Sequence, residues 1–269
     1  MIGLEALEDM TRLIPYTAFL DDETPMSVLY IAPPEHGKSE LIKKIGGNPR
    51  MYQVTDITKW GTEDKITPKI RGKSVRIILI PDLCEPLQRR NWPQLVTYFN
   101  SLTSEGHGKT HTFATKDTEQ HEGLVHAGLV TSITPAEFWR KKRYELRSTG
   151  FINRMLKATY IYTEDMKKTV RAATKGGDYI DYGPIICNLP SDDVHVTLDP
   201  GLLDGLYDMI ETIATEYNEV GARLTKNLRK LVKASAIDKG RLIVTNEDIE
   251  RIKTYDPFLR KHVYLVKPP

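Results

Sequence analysis

Cysteine is scarce in this chain: Cys84 and Cys187 are the only two in 269 residues. Two isolated thiols exclude a disulfide framework and a four-ligand zinc site, and they predict a reducing, cytoplasmic setting. Long apolar runs are missing as well. No stretch approaches the ~18 residues that span a bilayer, so no membrane is expected among the partners. The first ten residues hold three acidic side chains and lack the basic-then-apolar pattern of a signal peptide. An excess of either charge is also lacking. The net charge is +2, so overall charge decides nothing about nucleic acid and local clusters must. What is present is ordinary for a globular protein, 40% hydrophobic and 28% charged. The length suits one large domain or a domain with a small appendage.

Against this background one run stands out, Ser27-Val-Leu-Tyr-Ile-Ala-Pro-Pro-Glu-His-Gly-Lys-Ser39. An apolar strand pattern feeds a loop ending in Gly37-Lys38-Ser39, and a helical pattern follows to Ile45. In a strand–loop–helix of this kind, backbone N–H groups cradle phosphates, the lysine reaches the β- and γ-phosphates, and the hydroxyl ligates Mg²⁺. Pro33, Pro34, Glu35, His36, Gly37, Lys38, Ser39 and Glu40 are therefore the predicted nucleotide-binding set, with ATP and Mg²⁺ as cofactors. The pattern asks for another glycine at position 32, where Ala32 stands, so the first bend must form without a φ > 0 residue there.

Strand patterns recur at 27–31, 51–57, 75–81, 110–114, 128–134 and 158–162, with helical patterns at 39–45, 92–104 and 135–147. Such alternation predicts an α/β fold, a mainly parallel sheet flanked by helices. After about residue 163 the character changes to four helical patterns, 164–174, 200–217, 222–238 and 246–254, interrupted by a Gly/Asp/Pro-rich passage at 176–190. The expected organisation is a nucleotide-binding base over 1–163 and a C-terminal region, 164–269, carrying a small helical lid.

Further signals sit at strand ends. Arg76-Ile-Ile-Leu-Ile-Pro-Asp82 is a buried-strand pattern ending in a carboxylate, where a Mg²⁺ ligand belongs beside a phosphate loop. An Asp that merely terminates a strand is the plain alternative. Leu83 follows where a water-activating Glu often stands, which leaves Glu85, two residues on, as the candidate base. Thr134 ends the 128–134 pattern and, ahead of Ser132, is the candidate to contact the γ-phosphate or the attacking water. It also suits the N-cap of a helix opening at Pro135. Arg154 follows Gly150-Phe151 just before a strand pattern, and Arg223 opens a helix whose apolar face is Leu224, Leu228, Leu231 and Val232. Thr245 is the expected N-cap of the next helix, with Asp248 at its third position.

Taken in order, the loop 32–39, the strand ending in Asp82, Ile133-Thr134-Pro135, Phe151 to Arg154 and the 221–250 tail resemble the AAA+ ATPase superfamily of P-loop NTPases. The tail is similar to the minichromosome-maintenance helicase branch. The resemblance covers roughly residues 25–255 and rests on the order of the motifs. It implies ATP–Mg²⁺ held between subunits of a homo-oligomeric ring or filament, with Lys38, Ser39, Asp82 and Thr134 acting in cis. It implies Arg154 as an arginine finger, and Arg223 with it, acting on a neighbour's nucleotide. Ala32 and Leu83 depart from the family pattern. That branch carries a separate N-terminal DNA-binding domain, for which residues 1–26 leave no room, so full helicase action is not expected.

DNA is one expected partner. In helicase-like relatives a hairpin at the place of residues 106–126 touches DNA in a central pore, and here it would offer Lys109 or Lys116 to phosphates. An ordinary surface loop is the alternative. His107, His111, His121 and His126 have no standard metal spacing. The basic cluster Trp139-Arg-Lys-Lys-Arg143 suits a phosphate backbone or an acidic face of the next subunit. The second expected function is a nucleotide-dependent switch that recruits a protein partner with little turnover, which Leu83 favours.

Overall fold

A computed structural model describes residues 3–55, 57, 59–88, 90, 92–105, 125–139, 150–176 and 183–261. Five strands form one sheet: β1 (Val28–Ile31), β2 (Met51–Gln53), β3 (Ile77–Ile80), β4 (Gly128–Ile133) and β5 (Leu156–Thr159). Their order is β2-β3-β4-β1-β5 and every pair is parallel. The strands are short and β-branched, and all but β2 are buried along their whole length, as expected where both faces of a parallel sheet are covered.

Alternation within each strand divides the core. Val28 and Tyr30 face one hydrophobic cluster, while Leu29 and Ile31 face another. The second face is covered by α4 (Thr67–Arg71), α5 (Cys84–Gln88), α6 (Trp92–Asn100) and α7 (Pro135–Trp139), with α3 (Lys59–Lys65) packed against α4 and α6. The first face is covered by α1 (Glu5–Leu13) and α2 (Lys38–Lys44), joined by helices from the C-terminal half. Those are α9 (Tyr207–Tyr217), α10 (Ala222–Asp238), α11 (Asn246–Lys253) and α12 (Asp256–Leu259). Between the halves, α8 (Glu164–Gly176) has no buried residue.

The hydrophobic cluster on the first face runs without a break across residue 163, from Val28 and Tyr30 to Leu228, Leu231 and Ile249. The C-terminal helices are therefore packed on the same hydrophobic cluster as this face of the sheet. Extended chain from Gly183 to Asp199 lies against the lower end of this layer: Ile185 N–H donates to Lys44 C=O at 2.8 Å, and Val194 pairs with Leu20.

Element positions follow the predicted ones with shifts of a few residues. The fifth strand begins at Leu156 rather than 158, and 92–104 is an α-helix to Asn100 followed by a wider turn of π-helix. The expected strand 110–114 lies outside the described residues, as does most of the helix beyond Trp139. Gly128 is demanded by its setting. A Cβ there would lie 2.1 Å from the Met26 carbonyl oxygen, a contact no side chain tolerates.

Candidate functional site

The site is built at the C-terminal ends of β1, β3 and β4, which the strand order makes neighbours. After Ile31 the chain turns with left-handed conformations at Glu35 (φ 64°) and Gly37 (φ 72°). Ala32, fully buried, is not a φ > 0 position, so the missing glycine is not needed there. The strain instead sits on Glu35, at a cost of about 1–2 kcal/mol for a residue with a Cβ. Gly37 is the N-cap of α2 and no side chain caps it. The first bond of the helix is Leu41 N–H to Gly37 C=O. The N–H groups of Lys38, Ser39 and Glu40 therefore point past the helix start with no acceptor in the helix.

Lys38 is 9% exposed, and its Nζ donates to Pro33 C=O at 2.7 Å. Burial lowers its pKa, opposed first by the charge of Asp82. Ser39 Oγ donates to Pro81 C=O at 3.2 Å, and Ser132 Oγ donates to the same oxygen at 2.6 Å. That shared carbonyl ties α2 to the ends of β3 and β4 and puts Ser39 beside Asp82. Having given its proton to Pro81, the Ser39 hydroxyl keeps lone pairs for a cation. Asp82 is exposed, and its Oδ1 accepts the Cys84 N–H at 2.8 Å, opening α5. A hydroxyl and a carboxylate side by side are hard oxygen donors of the kind Mg²⁺ takes. The donor set therefore fits that ion.

Cys84 stands in the same corner. Burial first, then a hydrogen bond to Asp82, pushes its thiol up to about 12. Leu83 is buried at 2% exposure, and its N–H is held by Ser132 C=O at 2.9 Å. The position after Asp82 thus turns into the core. Glu85 lies within α5, its side chain outside the described residues. Thr134 performs the capping role. Its Oγ1 accepts Glu137 N–H at 3.3 Å at the start of α7, and its backbone N–H reaches Cys84, so it stays in this corner. Glu40 is exposed and pairs with Lys43 at 2.7 Å.

The tip of the loop is clamped by residues that sequence reasoning missed. Tyr160 OH donates to His36 C=O at 3.0 Å, and the His36 ring stacks on Tyr162 with centroids 4.9 Å apart. His36 Nδ1 also meets Pro34 C=O at 2.7 Å. The signal for this was two tyrosines directly after β5, the strand next to β1.

Arg154 and Arg223 are not brought to this corner. Arg154 ends a 3-10 turn just before β5, whose first residue, Leu156, pairs with Val28 at the start of β1. It therefore lies at the opposite end of the strands, with its guanidinium over Gly150. Arg223 is exposed at the start of α10 and lines a small pocket with Asn153, Met155 and Lys157. The two arginines thus share one flank of the molecule, away from Lys38. Lys109, Lys116, His107, His111, His121 and residues 140–143 lie outside the described residues. Comparison with models of known protein families and with curated proteins gave no match.

Proposed function

We propose that the chain binds ATP with Mg²⁺ at the 32–40 loop and hydrolyses it at contacts between copies of itself, acting on or with DNA. The observation that carries this reading is the shared Pro81 carbonyl, which seats Ser39 beside Asp82 at the mouth of a loop whose lysine lies in Asp82's field. The exposed N–H groups of residues 38–40 take phosphate oxygens. Lys38 leaves the Pro33 carbonyl, a neutral acceptor, for the charged β- and γ-phosphates, the stronger charge-assisted bond. Ser39 and Asp82 hold Mg²⁺, which offsets charge on those phosphates. Tyr160 and Tyr162 fix the loop tip. Arg154 lies on the far flank from its own chain's loop, and in this reading it acts on a neighbour's nucleotide.

Leu83 supports the second reading, a nucleotide-gated scaffold for a protein partner. Its side chain is in the core, so no carboxylate at that position polarises water. Turnover at several protein concentrations, with and without single- and double-stranded DNA, separates the two. An ATPase of the proposed kind gains specific activity with concentration and with DNA. Lys38→Ala loses ATP binding. Arg154→Ala keeps binding and loses about 10³-fold or more in kcat, the worth of an arginine finger. Binding without turnover in the wild type, at every concentration and with DNA, selects the scaffold.

A further inference from the structure

At the N-terminal edge of the sheet, opposite the 32–40 loop, lies an open pocket of about 450 Å³. Three elements bring basic side chains to its wall: Arg71 from the end of α4, Arg76 from the lead into β3, and His126 from the lead into β4. Their hydrogen-bonding capacity is unfilled. Arg71 Nε and His126 Nδ1 are buried and have no partner among the described residues. Among the described residues the Arg76 guanidinium bonds only Asp193, at 3.5 Å to each oxygen, while Arg50 and Lys73 hold that carboxylate more closely.

The pocket also has an acidic wall, and each of its carboxylates is already engaged. Asp22 is held by Lys233, Glu23 by Arg229 at 2.5 Å, Asp21 meets His195 at 3.2 Å, and Asp193, a fourth lining carboxylate, is shared by Arg50, Lys73 and Arg76. Lys230 stands behind that wall, 8% exposed, with the Thr24 hydroxyl at 2.9 Å as its hydrogen-bond partner. The surplus is therefore positive on the side of Arg71, Arg76 and His126. The field at His126 agrees: after burial, the charges of Arg76 and Lys230 are what lower its pKa.

We propose that this pocket binds a phosphate group, held by Arg71, Arg76 and His126. Donors arriving from three directions suit a tetrahedral dianion, and arginine is the side chain whose planar fork matches it. The volume falls within the range of small-ligand sites. A phosphomonoester offers that dianion, and a nucleic-acid phosphodiester offers the same non-bridging oxygens with one charge fewer.

The test uses the Lys38→Ala chain, so that phosphate taken up at the 32–40 loop cannot be mistaken for this site and failure of one reading leaves the other standing. Thermal unfolding is compared in inorganic phosphate and in chloride at equal ionic strength, and the His126 ring resonance is followed by NMR. Phosphate at several times its Kd raises Tm by about 2–4 °C and moves the His126 resonance. Adding Arg71→Ala abolishes both. Because Arg71 makes no hydrogen bond or ion pair among the described residues, that variant keeps its fold, and Arg71→Gln repeats the loss with most of the side chain retained. An oligonucleotide without terminal phosphate, run alongside, assigns the source: the stronger response marks diester or monoester. No shift in Lys38→Ala, or an equal shift with Arg71→Ala present, overturns the proposal.

Discussion

One carbonyl oxygen, that of Pro81, receives two serine hydroxyls, and its geometry sets where Ser39 and Asp82 stand. Ser132 is 1% exposed and its hydroxyl donates to Pro81 C=O, so its role is to position. Ser132→Ala removes one buried hydrogen bond, worth about 1 kcal/mol, and lowers Tm by about 2–4 °C. It also frees the end of β3, so the Mg²⁺ concentration for half-maximal ATP binding rises several-fold while Mg²⁺-free nucleotide binding is unchanged. A Tm loss without the Mg²⁺ effect, read by titrating Mg²⁺ against a fluorescent ATP analogue, would leave Ser132 a packing residue. At this scale much was legible. Lys38, Ser39 and Asp82 follow from spacing along one strand each, whereas the Tyr160 and Tyr162 clamp depends on β5 lying next to β1, which no local pattern states. Thr134 was legible as a cap because a cap needs only its own helix.

Among the elements, α10 is the one whose boundaries the sequence defines, Ala222 to Asp238, and its neighbour α11 carries the expected capping box of Thr245 and Asp248. Helix α1 was not legible. It has no side-chain cap, and it is held by packing Leu7, Met10 and Leu13 into the core shared with α10, a tertiary effect. The same α10 contains a costly group. Lys230 is pushed down to about 8 by burial, with Glu23 opposing. Folded chains therefore shed this proton near pH 8, and unfolded chains only near the ordinary lysine value of 10.5. Between those values the unfolded state binds more protons, so this residue makes stability rise with pH. Lys230→Met removes the rise. In phosphate-free buffer the variant is more stable than wild type below pH 8, by about 1–3 kcal/mol, and the gap closes towards pH 10.5. Tyrosine titrations are common to both chains and cancel in the difference. Urea unfolding across that range measures it, and a pH-independent gap would mean that Lys230 holds its proton equally in the folded and unfolded chains.

For the whole molecule, the arrangement of the sheet separates the two ends of the proposed chemistry. Leu156 pairs with Val28 and Thr159 with Ile31, so β5 carries Arg154 and Met155 before one end of β1 while the 32–40 loop leaves the other. Val28 to Ile31 alone spans about 10 Å at 3.3 Å per residue. Strand order of this kind is not written in a single sequence, and neither is the packing of the C-terminal helices onto the cluster beneath the sheet. The consequence is a sharp expectation for assembly. If Arg154 acts on a neighbour's nucleotide, each working site takes Lys38 from one copy and Arg154 from the next. Lys38→Ala and Arg154→Ala chains are each inactive alone. Mixed in equal amounts and allowed to exchange, they regain about a quarter of wild-type turnover, the fraction of contacts pairing an intact loop with an intact arginine. Arg223→Ala mixed with Lys38→Ala behaves the same way if Arg223 shares that flank's role. Activity that stays at zero in the mixture, with exchange verified by labelled subunits, would place Arg154 in structure rather than catalysis, since no site within one chain brings it to Lys38.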